Sequence, residues 1–475
     1  MKKKKPHIIL INSPLFRFEN PNYDEDSLPP LGLGYIATYL NENGVDVTVK
    51  DAIATQTPLN ELIEYIDNVQ PDFIGINIFT TNYDLVKELI ESIATDSHII
   101  IGGLSTKELY KDIFQWKTTN KIDVVTGDGE YITLDIIKNQ VKQSPNKFST
   151  NRNLYTVDTS SEYYVKNLNS LKLDRKYFVN EPIEHPLGFK EANIVTSRGC
   201  IFSCAFCAAA YGQNKEFGIR ERSVDSVQNE LRALQSYNQN IDSVRVLDDL
   251  FLKTKRHIEY AIDVFKPFNF SWRSMAHVQT FKNVSVEDLI KLKDSGCSEV
   301  FIGIESGSPK ILKSINKTSK VDVILNNLSN VLIAGIAIKA YFIFGFPNET
   351  EEDMEHTYQL AYKLSEVAKK NNTHFRTSVF QYRPYHGTTL YEALLDEGHN
   401  PQEVTNILPD DKLSGVVKRL QYNFHSGNYS KVGLEILHSY ICKTTNLNST
   451  ALFESLQNNN KSKKIKSLQV LRTLH

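Results

Sequence analysis

Cysteine is scarce in this sequence: five occur among 475 residues, and none before position 200. That scarcity excludes a disulfide-stapled scaffold and makes the three cysteines between positions 200 and 207 conspicuous. An excess of one charge is missing too, since 54 basic residues face 56 acidic ones, for a net charge of −2. A balanced chain has no electrostatic footprint for a nucleic-acid backbone, so no nucleic-acid partner is expected. No run approaches the ~20 apolar residues of a membrane span, so no membrane association is expected. The opening MKKKKPHIILINSP holds only a short apolar run, which reads as a strand rather than a signal-peptide core. A cytoplasmic protein follows, and in that reducing compartment clustered cysteines bind metal or catalyse more often than they pair.

What is present first is alternation. Over residues 1–140 short apolar strands (HIILIN, VDVTVKD, PDFIGINIF, SHIIIGG, DVVTG) alternate with amphipathic helices such as LGLGYIATYLNENG. This pattern predicts a parallel, doubly wound Rossmann-like sheet whose ligands bind beyond the carboxyl ends of its strands. The turns there, FTTNYD, GGLST and GDGE, are built from small residues that let a ligand approach the backbone. On their own they do not separate a nucleotide site from a cobalamin site or an empty scaffold. Residues 141–185 lack periodicity and read as a linker. From 186 to 396 six strand–helix units (ANIVT, SVRVL, FSWRSM, EVFIGI, KAYFIF and TSVFQY with their helices) predict a partial (βα)6 barrel with its chemistry at the strand C-termini. Residues 397–475 read as a small helical region ending in a basic tail.

Cys200, Cys204 and Cys207 stand as C-x3-C-x2-C in a loop directly after the first barrel strand. Thiolates suit iron–sulfur clusters or zinc, but a structural zinc site needs a fourth ligand, and none lies at finger-like spacing. Three thiolates on a four-iron cluster leave one iron open. Cys297 and Cys442 are isolated and read as packing residues.

With Phe206 before the last cysteine, this stretch resembles the radical S-adenosylmethionine (SAM) superfamily. The resemblance implies a [4Fe–4S] cluster whose open iron is chelated by SAM, a small-molecule substrate, and an external one-electron reductant such as flavodoxin or ferredoxin. It extends along the barrel. VRVLDDLF places Asp248 and Asp249 where the family contacts the SAM amino group, and VFIGIESG places Glu305 and Ser306 where it contacts the ribose. FIFGFPNET places Gly345 near the adenine, and RPYHGTTLY resembles the sixth-strand element, with Tyr382, Arg383, Tyr385 and His386 nearby as candidate substrate contacts.

A doubly wound domain ahead of such a barrel resembles the cobalamin-binding subgroup, and INSP, PPLGLGYIATYL and GDGE look like its markers. By that likeness Thr80, Thr81, Gly102, Gly103, Gly127, Gly129 and Glu130 surround the corrin and its nucleotide tail. The related tRNA methylthiotransferases carry three cysteines in their first domain, which this chain does not. The resemblance implies a cobalamin-dependent methyltransferase acting on an unactivated carbon. Alternatives are cyclisation, ring contraction or another oxidation with the same cofactors, and a non-enzymatic iron–sulfur module. The loop from Asn12 to Gly34 has no histidine, and His7 and His98, alone in the first domain, begin strands, so if cobalamin binds with its base displaced, as the resemblance implies, no protein imidazole is expected below the cobalt.

Overall fold

The computed structural model describes residues 5–13, 28–184, 189–317, 320–400, 408–409, 424–425 and 428–448. The first domain runs β1 (His7–Asn12), α1 (Leu31–Glu42), β2 (Asp46–Asp51), α2 (Leu59–Val69), β3 (Phe73–Asn77), α3 (Tyr83–Ser92), β4 (His98–Gly102), α4 (Thr106–Ile113), β5 (Ile122–Gly127) and α5 (Glu130–Ile137). Its strands are parallel in the order β2-β1-β3-β4-β5, so the winding reverses at β1 and opens a crevice beside it. Alternate residues serve opposite faces. Ile9, Ile11, Ile74, Ile76, Ile99 and Ile101 form one buried layer, and Ile8, Leu10, Ile100 and Val125 form the other.

The expected linker is shorter than 141–185. Residues inside it form β6 (Asn146–Ser149) and β7 (Arg152–Val157), and β7 extends the first sheet by pairing parallel with β5. Polar residues hide this strand in the sequence because their partners are distant. Arg152 donates to the carbonyls of Asn120 and Thr118, and Asn153 donates to buried Asp123 at 2.7 Å.

The second sheet begins with β8 (Ile183–Glu184) and β9 (Lys190–Ile194), after which β10 (Ser197–Arg198), α6 (Tyr211–Asn214) and β11 (Arg220–Glu221) bracket the cysteine loop. It continues through α7 (Val224–Tyr237), β12 (Ser243–Val246), α8 (Lys255–Phe265), β13 (Ser271–Ala276), α9 (Val286–Asp294), β14 (Cys297–Glu305), α10 (Pro309–Ser314), α11 (Val321–Ile333), β15 (Ala337–Phe344), α12 (Glu351–Lys370), β16 (Phe375–Gln381) and α13 (Thr389–Asp396). Six parallel strands in the order β16-β15-β14-β13-β12-β9 form the expected open barrel, with β8 antiparallel at its edge. The face under the helices is apolar and includes Trp272, Ile302, Phe342 and Phe344. On the alternating positions Arg273 grips Glu191, and Arg376 grips Glu299. Among the described residues beyond α13, the helix α14 (Leu434–Thr445) packs on α12 and β16, and the basic tail lies outside the described residues. No helix among the described residues is long and apolar enough to cross a membrane.

Candidate functional site

The cysteine loop is fixed before its first thiol. Thr196 donates to Asp248 through its backbone N and its Oγ1, both at 2.6 Å, and Ser197 Oγ donates to the same carboxylate. Lys253 Nζ reaches Ser197 Oγ at 2.8 Å. Gly199 turns the chain with φ +89°, where a side chain would crowd the carbonyl of Gly218, and its N donates to Asp249 at 3.1 Å. Farther along, Asn316 holds the Ser203 carbonyl at 2.7 Å and the Ala205 N donates to the Ile315 carbonyl. Phe202 stacks on His277, and Phe206 meets Phe346 edge-on.

All five cysteines are free. Burial pushes the thiols of Cys200, Cys204 and Cys207 upward, that of Cys207 to about 12, and as thiolates they would repel one another. Among the described residues no three His, Cys, Asp or Glu side chains converge on one point closely enough to hold a single metal ion.

The other expected SAM contacts divide. Asp249 is exposed to both cavities described below, and desolvation by the surrounding protein pushes its carboxyl up. Asp248, in contrast, is committed to Thr196 and Ser197 and positions the loop. Glu305 has a left-handed backbone (φ +67°) at an irregularity of β14, and the bare Gly303 leaves room for its carboxylate. Glu305 pairs with buried Lys317 at 3.2 Å. Lys317, which no motif announced, is also electrostatically coupled to Cys204 and Cys207. Ser306 is buried and bonds to Thr357 Oγ1 and the Ser308 N, so its hydroxyl works inside the fold. The Gly345 and Phe346 N–H groups both point at Glu349, whose carboxyl burial pushes up to about 8.

Between the domains lies a cavity of about 860 Å³. Thr80, Thr81, Gly102, Gly103, Gly127, Gly129 and Glu130 all line it, together with Phe206, Cys207 and Asp249. A smaller cavity of about 220 Å³ adjoins it at Gly103, Leu104, Arg198 and Asp249 and reaches Cys200. Two of the glycines are required by conformation: Gly103 has φ +113° and Gly127 φ +92°, and a Cβ would stand 2.7 Å from the Ile78 carbonyl or 2.1 Å from that of Val157. Their bare backbone forms the floor of the cavity. Beside it Asn12 donates to Asp51 and accepts from Asn77, and Asp51 Oδ2 and Asn77 Oδ1 have no partner.

Glu130, expected at a cofactor, is engaged by Arg198, which also pairs with Asp128. Arg220 pairs with Asp128 as well, Lys107 with Glu216, and Thr80 Oγ1 lies 3.0 Å from His386 Nδ1. These contacts dock the first domain on the barrel. Among the candidate substrate contacts Tyr385 lines the large cavity, whereas Tyr382 is buried against Phe346 and Tyr429. His386 is enclosed, and burial lowers its pKa to about 4. His7 bonds to Thr48 and His98 to Asp123, both at the starts of strands, away from the cavity. Cys297 is buried and Cys442 lies in α14, apart from the loop.

Comparison with known proteins agrees with this division. A family model for the Radical SAM superfamily matches residues 194–361, and one for the B12 binding domain matches residues 24–137. The chain is 29% identical over 380 residues to an uncharacterized methyltransferase of Pyrococcus horikoshii, covering 77% of this chain and 78% of that protein. It is 24% identical over 369 residues to the anaerobic magnesium-protoporphyrin IX monomethyl ester cyclase of Rubrivivax gelatinosus, covering 72% of this chain and 65% of that protein. Its fold resembles that of the radical SAM methyltransferase TsrM from Kitasatospora setae, solved with tryptophan and the SAM analog aza-SAM. The TM-score is 0.63 at 16% identity, covering 94% of this chain and 90% of that one.

Proposed function

Because the chain belongs to the cobalamin-binding radical SAM family, we propose that it is a methyltransferase that alkylates an unactivated carbon of a small molecule. The observation that carries this reading is the shared cavity, in which glycine-floored turns of a B12-type domain face the cysteine loop. When bound, the [4Fe–4S] cluster with SAM supplies hydrogen-atom abstraction, and cobalamin supplies a methyl group.

Cys200, Cys204 and Cys207 would each hold one iron. Asp249 accepts from Gly199 N and has a second oxygen free to receive the SAM amino group. The Glu305–Lys317 pair offers one acceptor and one cation near the loop, suited to the ribose hydroxyls and the SAM carboxylate. Gly345, buried with its N–H on Glu349, would mark the end of β15 at which the adenine lies, beside the Phe206–Phe346 ring pair. Across the cavity Thr80, Thr81, Gly102, Gly103, Gly127 and Gly129 would carry the corrin. Apolar lining by Leu10, Leu33, Ile36, Leu104, Val195 and Leu247 keeps water from the reacting carbon. Electrons would come from a flavodoxin- or ferredoxin-type carrier in the cytoplasm, and neither nucleic acid nor membrane takes part.

The test is anaerobic reconstitution with iron, sulfide and hydroxocobalamin, followed by incubation with SAM and a one-electron reductant and a search for methylated products in candidate metabolite pools. The likeness to a cyclase keeps a second outcome in view. Product mass separates them: methylation adds a methyl group, whereas oxidative cyclisation removes hydrogens.

A further inference from the structure

We propose that Arg198 is a positioning residue that couples the interdomain cavity to the cysteine loop, so that corrin binding and cluster assembly favour one another. The inference rests on the functional reading above. Arg198 stands on β10, two residues ahead of Cys200. Its guanidinium reaches out of the barrel: Nη1 donates to Asp128 at 2.7 Å, and Nη2 pairs with Glu130. Both acceptor side chains are nearly closed to solvent, at 6% and 3% exposure, where a charge-assisted fork is strongly held. Asp128 is itself fixed by the Val165 N at 3.0 Å and by Arg220, the residue opposite Arg198 in the β10–β11 pairing. The next residue, Gly199, is held from the barrel side by Asp249. The chain leading into the first cysteine is thus gripped at consecutive residues by different domains.

The same residues form the cavity wall. Asp128, Gly129, Glu130 and Arg198 line the large cavity, and Arg198 also lines the small one together with Cys200. The hydrogen bonds at Thr196, Ser197 and Gly199 already set the loop entry, so a cluster on the cysteines that follow tightens the segment that presents the Arg198 fork to Asp128 and Glu130. Without the cluster, more of the entropy of holding the fork must be met when the corrin binds. Thermodynamic linkage makes the effect reciprocal.

The experiment titrates hydroxocobalamin into the full-length protein, with and without a reconstituted cluster, and compares the two dissociation constants from visible absorbance. The wild type is expected to bind about tenfold more tightly with the cluster present, within the usual range of coupling between sites. Arg198→Gln should bring the two constants within about twofold, and Arg198→Lys, which keeps the charge without the fork, should give an intermediate ratio. Lys107→Gln removes a separate interdomain tie, to Glu216 and the Gln213 carbonyl, and should keep the wild-type ratio. Iron content and near-UV circular dichroism establish that each variant is folded and loaded. A wild type without the ratio, an unchanged ratio in Arg198→Gln, or its equal loss in Lys107→Gln would overturn the assignment. A wild type that takes up neither iron nor cobalamin would overturn the functional reading instead.

Discussion

The two walls of the interdomain cavity are made of different material. The first domain presents backbone: Gly102, Gly103, Gly127 and Gly129 at the ends of parallel strands, with Thr80 and Thr81 beside them. The barrel presents reactive and charged side chains, among them Cys207, Asp249 and Arg198, with Glu305 and Lys317 behind the loop. A wall of bare backbone suits a broad, neutral ligand that must lie close. A wall of thiols and paired charges suits groups that must be ligated and electrically balanced. The contrast teaches that each half of the chemistry can be broken without the other.

The largest effects should come from the barrel wall. Cys204→Ala should lower iron content by at least one site and abolish reductive SAM cleavage, a loss above about a thousandfold, because in the proposed reading each thiolate holds one iron. Cobalamin binding should persist, weakened only by any coupling to the cluster. Normal 5′-deoxyadenosine formation in this variant would remove the contrast at its root. The converse break is Gly127→Val, which forces a β-branched residue into a positive φ against the Val157 carbonyl. Cobalamin retention should fall by about a hundredfold while SAM cleavage continues, as measured by absorbance after desalting and by 5′-deoxyadenosine yield.

A finer cut falls within the barrel wall. Glu305→Gln should weaken SAM binding by about tenfold to a hundredfold and leave iron content unchanged, because a charge-assisted acceptor is worth about 1.5–3 kcal/mol. Unchanged affinity would return Glu305 to a purely structural partnership with Lys317.

Much of both walls was legible because its chemistry is local. The three cysteines, Asp249 and the glycine turns lie in short stretches whose spacing is visible in the sequence, and Cys207, Asp249 and the glycines all line the cavity. What was not legible depends on partners far along the chain. Arg198 meets Glu130 across 68 residues. Lys317 has no motif of its own and earns its place only through the backbone reversal at Glu305. That irregularity at the end of β14 also explains why Ser306, adjacent in sequence, turns into the fold instead of the site. The strand at 152–157 escaped notice because Arg152 and Asn153 look like loop residues until Asp123 and the neighbouring carbonyls are seen.

The smallest expected effect concerns the seam between the walls. Burial holds the His386 pKa near 4, below the ordinary value of 6.5. Between those values the unfolded chain takes up a proton that the folded one refuses, so stability is lost as pH falls from about 6.5 towards 4. His386→Gln retains a partner for Thr80 but cannot protonate, and its melting temperature should fall less than the wild type's between pH 7 and pH 5. An identical fall in both proteins would show that this contact does not contribute to acid sensitivity.

The central claim is that both walls face one reaction chamber, and electron paramagnetic resonance of the doubly loaded protein tests it most directly. With cob(II)alamin bound and the cluster reduced, the two paramagnets should broaden or split each other's signals. If cobalamin binds with its own base displaced, the cobalt lines should carry no nitrogen hyperfine splitting, since His7 and His98 are held at the far ends of their strands. Two independent, unbroadened spectra, or cobalt lines split by a nitrogen that vanishes in His98→Ala, would contradict the account.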